Sequence, residues 1–208
     1  MKLSLGNKAA ILIFIMLMID QCLKIWIKTH MQLGQEFHIL GDKFIIHFME
    51  NNGMAFGMEF GGQVGKLLLS IFRIIAVGGI GWYLIHIIKT KAHSGFVFSI
   101  ALIFAGAVGN ILDSAFYGLI FNESNGQLAN LFPHEGGYAS FLHGRVVDML
   151  YFPVIQGHFP SWVPIWGSED FIFFRPVFNI ADSSITVGVS IILLFQKKFF
   201  PKDLPDTI

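Results

Sequence analysis

Four stretches of this chain are too apolar and too long for the core elements of an ordinary water-soluble domain. They run over about 9–27, 67–88, 95–120 and 180–198. A hydrocarbon layer of about 30 Å demands roughly 20 apolar residues in a helix, because the segment must satisfy its own backbone groups there. The composition agrees: 54% of the 208 residues are hydrophobic and 13% charged, against about 25% charged in average soluble chains. The expectation is an all-α integral membrane protein, a single membrane domain over 1–208 with four transmembrane helices. The formal net charge of +0 offers no basic field for nucleic acid.

The first stretch has a secretory look, and Cys22 invites a lipoprotein cleavage reading. Gln21 stands where such cleavage needs a small residue, and Asp20 and Lys24 interrupt the apolar run. It therefore reads as a retained helix. Cys22 is the single cysteine, which excludes an intrachain disulfide and a multi-cysteine metal site.

The connections divide unequally. Residues 28–65 are polar, with a strand-like Phe44-Ile45-Ile46-His47-Phe48-Met49 and a turn signal at Asn52-Gly53. They are expected to form a hairpin or irregular cradle on one membrane face. Residues 121–179 form a long outer insertion broken by Pro133, Pro153, Pro160 and Pro164, with Trp162 and Trp166 suited to a headgroup layer. Residues 1–8, 89–94 and 197–208 carry seven Lys, whereas the longer 28–66 and 121–179 together carry five Lys or Arg. The positive-inside rule then places both termini in the cytoplasm and both long connections outside. On this topology Asp20, Lys24, Asn51, Asn110, Asp113, Asp148 and Asp182 gather at the outer membrane boundary. Arg73, about two turns into the second stretch, is expected to reach the interface by snorkelling.

Asp148 and Asp182 form the sharpest pair. Two adjacent carboxyl groups cannot both ionise cheaply, so one retains a proton near neutral pH. The charged partner can take a proton from water, and the neutral one can polarise a carbonyl and protonate a leaving nitrogen. The plainer alternative is a helix cap, since Asp182-Ser183-Ser184 also resembles a helix start. Asp20 and Lys24 have the spacing and order of a favourable helical ion pair, read as a lock onto the outer cradle. Asn51 and Gly53 read as turn residues or as a peptide-orienting amide. Asn110 and Asp113 share a helix face and need polar partners. His143 reads as a loop histidine, and no metal-ligand spacing stands out.

Five motifs occur in order: Asp20-Gln21-x-x-Lys24, Asn51-x-Gly53-x-Ala55-Phe56, Gly106-x-x-Gly109-Asn110-x-x-Asp113, Gly144-x-Val146-Val147-Asp148 and Phe178-Asn179-x-Ala181-Asp182-Ser183. Together they resemble lipoprotein signal peptidase, the type II signal peptidase of bacteria. The resemblance implies an intramembrane aspartyl endopeptidase of the inner membrane with a small extracytoplasmic β-cradle drawn mostly from residues 28–65; no cofactor or metal is expected, and a monomer is expected. Its substrate would be a prolipoprotein signal peptide ahead of a lipid-modified cysteine, presented by membrane lipid, and globomycin-type peptides would inhibit it. The family's dyad falls on Asp148 and Asp182. Its supporting residues fall on Asp20, Lys24, Asn51, Gly53, Asn110, Asp113, Asn179 and Ala181.

Two departures stand out. The family usually carries Arg after the aspartate of the third helix, where this chain has Ser114. Arg145 or Arg175 is expected to supply that charge from the outer connection. The insertion near 122–138 is also longer than usual, and its aromatics suit either a lid or a membrane rest. The rival readings are a carrier, whose polar cluster would sit nearer the bilayer midplane, and an inactive prolipoprotein-binding relative.

Overall fold

In a computed structural model of the chain, residues 3–52, 62–153, 155–158, 160–162, 164, 168, 170–173 and 176–201 are described. Among the described residues, three helices are long and apolar enough to cross a membrane: α1 (Leu5–His30), α2 (Gly62–Lys89) and a third run over Ser94–Ile120. That run begins as α3 (Ser94–Leu112), widens into a π-helical turn at Asp113–Tyr117 and closes with α4 (Gly118–Ile120). The last apolar stretch is shorter. It forms α5 (Ile180–Leu194), breaks at Phe195 and ends in α6 (Gln196–Phe199).

Local chemistry sets these boundaries. Ser4 Oγ accepts from the Asn7 N–H at 3.2 Å and caps α1. Asn179 and Asp182 form a reciprocal capping box at the start of α5. Small residues let α3 and α5 pack closely: a Cβ at Gly106 would fall 2.2 Å from the Ala181 carbonyl oxygen, and one at Gly188 would fall 2.6 Å from that of Ser99.

The four-stranded sheet is open and antiparallel, in the order β1 (Glu36–His38), β2 (Ile45–Asn51), β3 (Val146–Tyr151), β6 (Val177–Phe178). A separate hairpin pairs β4 (Ile155–His158) with β5 (Asp170–Phe173). Residues 28–65 thus supply only half of the sheet, and the later connection supplies β3 and β6. One buried cluster, with Ile27, Phe48, Tyr117, Phe121, Val147 and Met149, joins the sheet to the ends of α1 and the third helix run. A second, with Ala9, Leu84, Ile87 and Val97, holds the opposite end of the bundle.

The insertion is tied to the helices by its backbone. The N–H groups of Ala139, Leu142 and Gly144 donate to the carbonyls of Gly118, Ala115 and Ser114, at 2.9, 3.4 and 2.8 Å. Ala129 N–H donates to the Lys28 carbonyl at 3.2 Å. The segment 138–144 therefore runs antiparallel along the π turn.

Candidate active site

Asp20 and Asp113 lie about 15 and 10 Å from the C-terminal ends of their helices, at about 1.5 Å per residue, and Lys24 lies about 9 Å from the end of α1, one turn beyond Asp20. All three side chains are at most 2% exposed. Lys24 Nζ pairs with Asp20 at 2.9 Å and Asp113 at 2.7 Å, and donates to Asn110 Oδ1 at 3.0 Å. Asp20 in turn accepts from the backbone N–H of buried Ala181 at 2.9 Å. The expected lock ties α1 to the third helix run and α5, and it reaches β3 of the sheet through Asp113, which accepts from the Val147 N–H at 3.3 Å. An ammonium with two carboxylates and an amide around it is a well-satisfied buried charge.

Asp148 and Asp182 arrive from different elements and share their partners. Asp148 stands on β3 opposite Met49 of β2. Asn179 Nδ2 donates to Asp148 Oδ1 at 2.7 Å, and Asn51 Nδ2 donates to Asp148 Oδ2. Asp182, in the first turn of α5, accepts from Asn110 Nδ2 at 2.8 Å and from the Asn179 backbone N–H at 3.4 Å. Asn179 Nδ2 is also 3.2 Å from Asn110 Oδ1. One asparagine thus touches both aspartates, and a second joins Asp182 to Lys24. Burial first, then the nearby Asp182 charge, push the Asp148 carboxyl up to about 7. The cap reading of Asp182 and the pair reading both describe this geometry.

Arg145 lies three residues before Asp148, but its guanidinium is committed elsewhere. It donates to Glu50 at 3.0 Å and to both oxygens of Glu123 at 2.6 and 3.1 Å, and it lies 4.9 Å from the Tyr138 ring centroid. Its hydrogen bonds hold the Glu123 carboxyl below the usual carboxylate range. Lys28 completes this cluster by pairing with Glu50 and donating to Ser124 Oγ at 2.7 Å. Arg145 therefore fastens β3 to β2 and to the insertion. Gly53, Ala55, Phe56, Trp166 and Arg175 lie outside the described residues. His143 is a half-buried loop residue whose ring meets Ser140 Oγ at 3.0 Å.

Gln21, which in the sequence only argues against cleavage ahead of Cys22, sits inside the buried cluster. Its amide donates to Asp20, Asp113 and the Gly109 carbonyl at 3.0, 2.9 and 3.2 Å, while its oxygen accepts from Tyr117 OH at 3.2 Å. The available signal was an amide beside an acid inside an apolar run. Lys28 carried a similar signal, one helical turn beyond Lys24.

Comparison with known proteins places the chain by its sequence and its fold. The sequence pattern of the family described as signal peptidase (SPase) II covers residues 12–198. The lipoprotein signal peptidase of Porphyromonas gingivalis (strain ATCC 33277) is 52% identical over 194 residues, which cover 93% of this chain and 84% of that protein. That of Amoebophilus asiaticus (strain 5a2) is 39% identical over 182 residues, 86% of this chain and 73% of its own length. A bacterial membrane enzyme solved by the in meso method at 2.3 Å shares the fold, with a TM-score of 0.60, 24% identity and coverage of 97% of this chain and 94% of that one. A second, solved by the same method at 1.9 Å, gives 0.57 at 25% identity and 95% coverage of each. With nearly its whole length matched by the pattern, this chain belongs to the signal peptidase II family of membrane aspartic endopeptidases.

Proposed function

We propose that Asp148 and Asp182 are the catalytic dyad that removes signal peptides from diacylglyceryl-modified prolipoproteins. The observation that carries this is the pair's shared asparagine. Asn179 donates to Asp148 through its side chain and to Asp182 through its backbone, so both carboxyl groups are aimed from one residue. A water held between them loses a proton to the charged aspartate as its oxygen bonds the scissile carbonyl carbon. The neutral aspartate donates its proton to the nitrogen as the C–N bond breaks. One proton remains on the pair, which is reset without a covalent acyl-enzyme or a cofactor.

Asn110 and Asn51 orient the carboxylates, Lys24 holds Asp20 and Asp113, and Ala181 anchors α5 through its N–H. Gly53, two positions after Asn51 in the sequence, joins it in receiving the substrate backbone. The site lies at the periplasmic face of the inner membrane, with α5 and α6 as a short fourth span and both termini cytoplasmic. The sheet cradles the peptide ahead of its lipid-modified cysteine, and a globomycin-type peptide competes for the dyad. The protein works as a monomer.

The test is cleavage of a diacylglyceryl-modified prolipoprotein by purified wild type, Asp148→Asn and Asp182→Asn in detergent. Wild type should cut, and each variant should fall by roughly 10⁴-fold or more while staying folded, as expected for members of one catalytic unit. A variant that still cuts well would sink the dyad.

A further inference from the structure

A guanidinium inside a membrane-spanning helix is costly unless it faces protein. Arg73 of α2 does so. Its neighbours Phe72 and Ile75 are 67% and 69% exposed on the outside of the bundle, whereas Arg73 is half-buried and Ser70, one turn earlier, is buried.

Hydrogen bonds set its level in the bundle. Ser70 Oγ donates to the Leu142 carbonyl at 3.0 Å. Leu142 N–H donates to Ala115 at 3.4 Å, and Gly144 N–H to Ser114 at 2.8 Å. The segment 142–144 is thus wedged between α2 and the π turn, with Ser70 opposite Ala115. The short 90–93 connection makes α2 and α3 antiparallel neighbours. One turn along α2 from Ser70 brings Arg73 opposite the α3 turn that carries Asn110 and Asp113. Asn110 is bonded to Asp182 at 2.8 Å. The carboxylates that act on Arg73 are Asp182 first, then Asp113 and Asp148.

Charge accounting narrows its role. Around the pair stand Asp20 and Lys24 from α1, Asp113 from the π turn, Asp148 from β3, Asp182 from α5 and Arg73 from α2, with the neutral amides of Asn51, Asn110 and Asn179 between them. Lys24 is already committed to Asp20 and Asp113. Arg145 is committed to Glu50 and Glu123.

We infer that Arg73 is a positioning residue for the aspartate pair: its guanidinium balances the pair's single negative charge from the α2 side, holding that charge on Asp182 and the proton on Asp148. This rests on the dyad reading above and assigns its members. Asp182 becomes the base that activates water, and Asp148 becomes the acid that serves the leaving nitrogen.

The decisive experiment is a carboxyl-carbon NMR titration of the full chain in micelles, with ¹³C-labelled aspartate. The pair's signals are assigned by their loss in Asp148→Asn and Asp182→Asn. Arg73→Gln and Arg73→Met both remove the charge, and Arg73→Lys restores it. Loss of a nearby cation should raise the pair's titration by about one pH unit or more, with Lys recovering most of the shift. If neither neutral variant moves the titration, the inference is wrong, whatever the protein cleaves.

The same variants are then assayed on a diacylglyceryl-modified prolipoprotein. The neutral variants should lose roughly 100-fold in kcat near pH 7, with KM nearly unchanged and the pH–rate bell moved to higher pH. Equal losses in Gln, Met and Lys with an unmoved bell would mark a packing role and overturn the inference. Wild type that fails to cut would count against the peptidase reading, while the titration still judges Arg73.

Discussion

Asn179 joins helix capping to carboxylate orientation in one side chain. Its oxygen accepts from the Asp182 N–H at 2.9 Å, and its amide nitrogen donates to Asp148 at 2.7 Å. Asn179→Ala removes a cap worth about 1 kcal/mol and a donor to a buried carboxyl. Its melting point should drop modestly, while kcat should fall on the order of 100-fold, about the cost of losing one preorganised donor. Equal percentage losses in stability and activity would mean that the cap alone matters. Asp148 itself gives a pH prediction. Its folded carboxyl holds a proton to about 7, whereas an unfolded aspartate releases it near 3.9. Between those values the folded state binds more protons, so stability falls as pH rises from about 4 to about 7 and then levels. Melting curves over that window should show the decline in wild type and a flatter course in Asp148→Asn.

At the scale of elements, the π turn determines how the insertion meets the bundle. It directs the carbonyls of Ser114 and Ala115 toward the N–H groups of Gly144 and Leu142. A Cβ on Gly144 would fall 2.2 Å from the Asp113 carbonyl oxygen, so only glycine fits without a backbone shift. Gly144→Ala should cost about 1–3 kcal/mol, the range for overpacking, and should reduce cleavage because β3 and Asp148 follow directly. Wild-type cleavage in this variant would separate the segment from the site. This contact could not be read from the sequence, because residues 106–120 show one continuous helical pattern and a π turn leaves it intact. The sheet was only half legible for a related reason: β2 shows its apolar run, but its partner β3 comes from a connection almost a hundred positions away. Apolar length identified the helical stretches, and their common depth brought Asp20, Asn110, Asp113 and Asp182 together. Arg73 and Arg145 were harder, since a lone cation in a sequence does not show which carboxylate will face it. Arg145 met Glu50 and Glu123, and the carboxylates whose charge reaches Arg73 stand on three other elements.

For the whole molecule, the unequal helices make orientation the property to measure. α1 and α2 have 26 and 28 residues, whereas α5 has 15 and spans only about 22 Å as a helix. A 30 Å hydrocarbon layer is not crossed by α5 alone. The break at Phe195 and the lysines of α6 then suit the near edge of the layer, where their ammonium groups reach water while the stems stay apolar. The seven lysines of the short segments and termini favour the side that retains positive charge. Cys22 is the single cysteine, so Cys22→Ser provides a clean background for labelling. Thr90, in the α2–α3 connection, and Asn125, in the insertion, are both exposed and accept a cysteine without entering the site. A membrane-impermeant maleimide added to intact spheroplasts should label Asn125→Cys at once and Thr90→Cys only after permeabilisation. The reverse pattern would invert the protein and place the aspartates on the cytoplasmic side, where exported prolipoproteins do not present their cleavage site. Labelling of both positions in intact cells would instead show that the second and third apolar helices do not form a membrane-spanning hairpin.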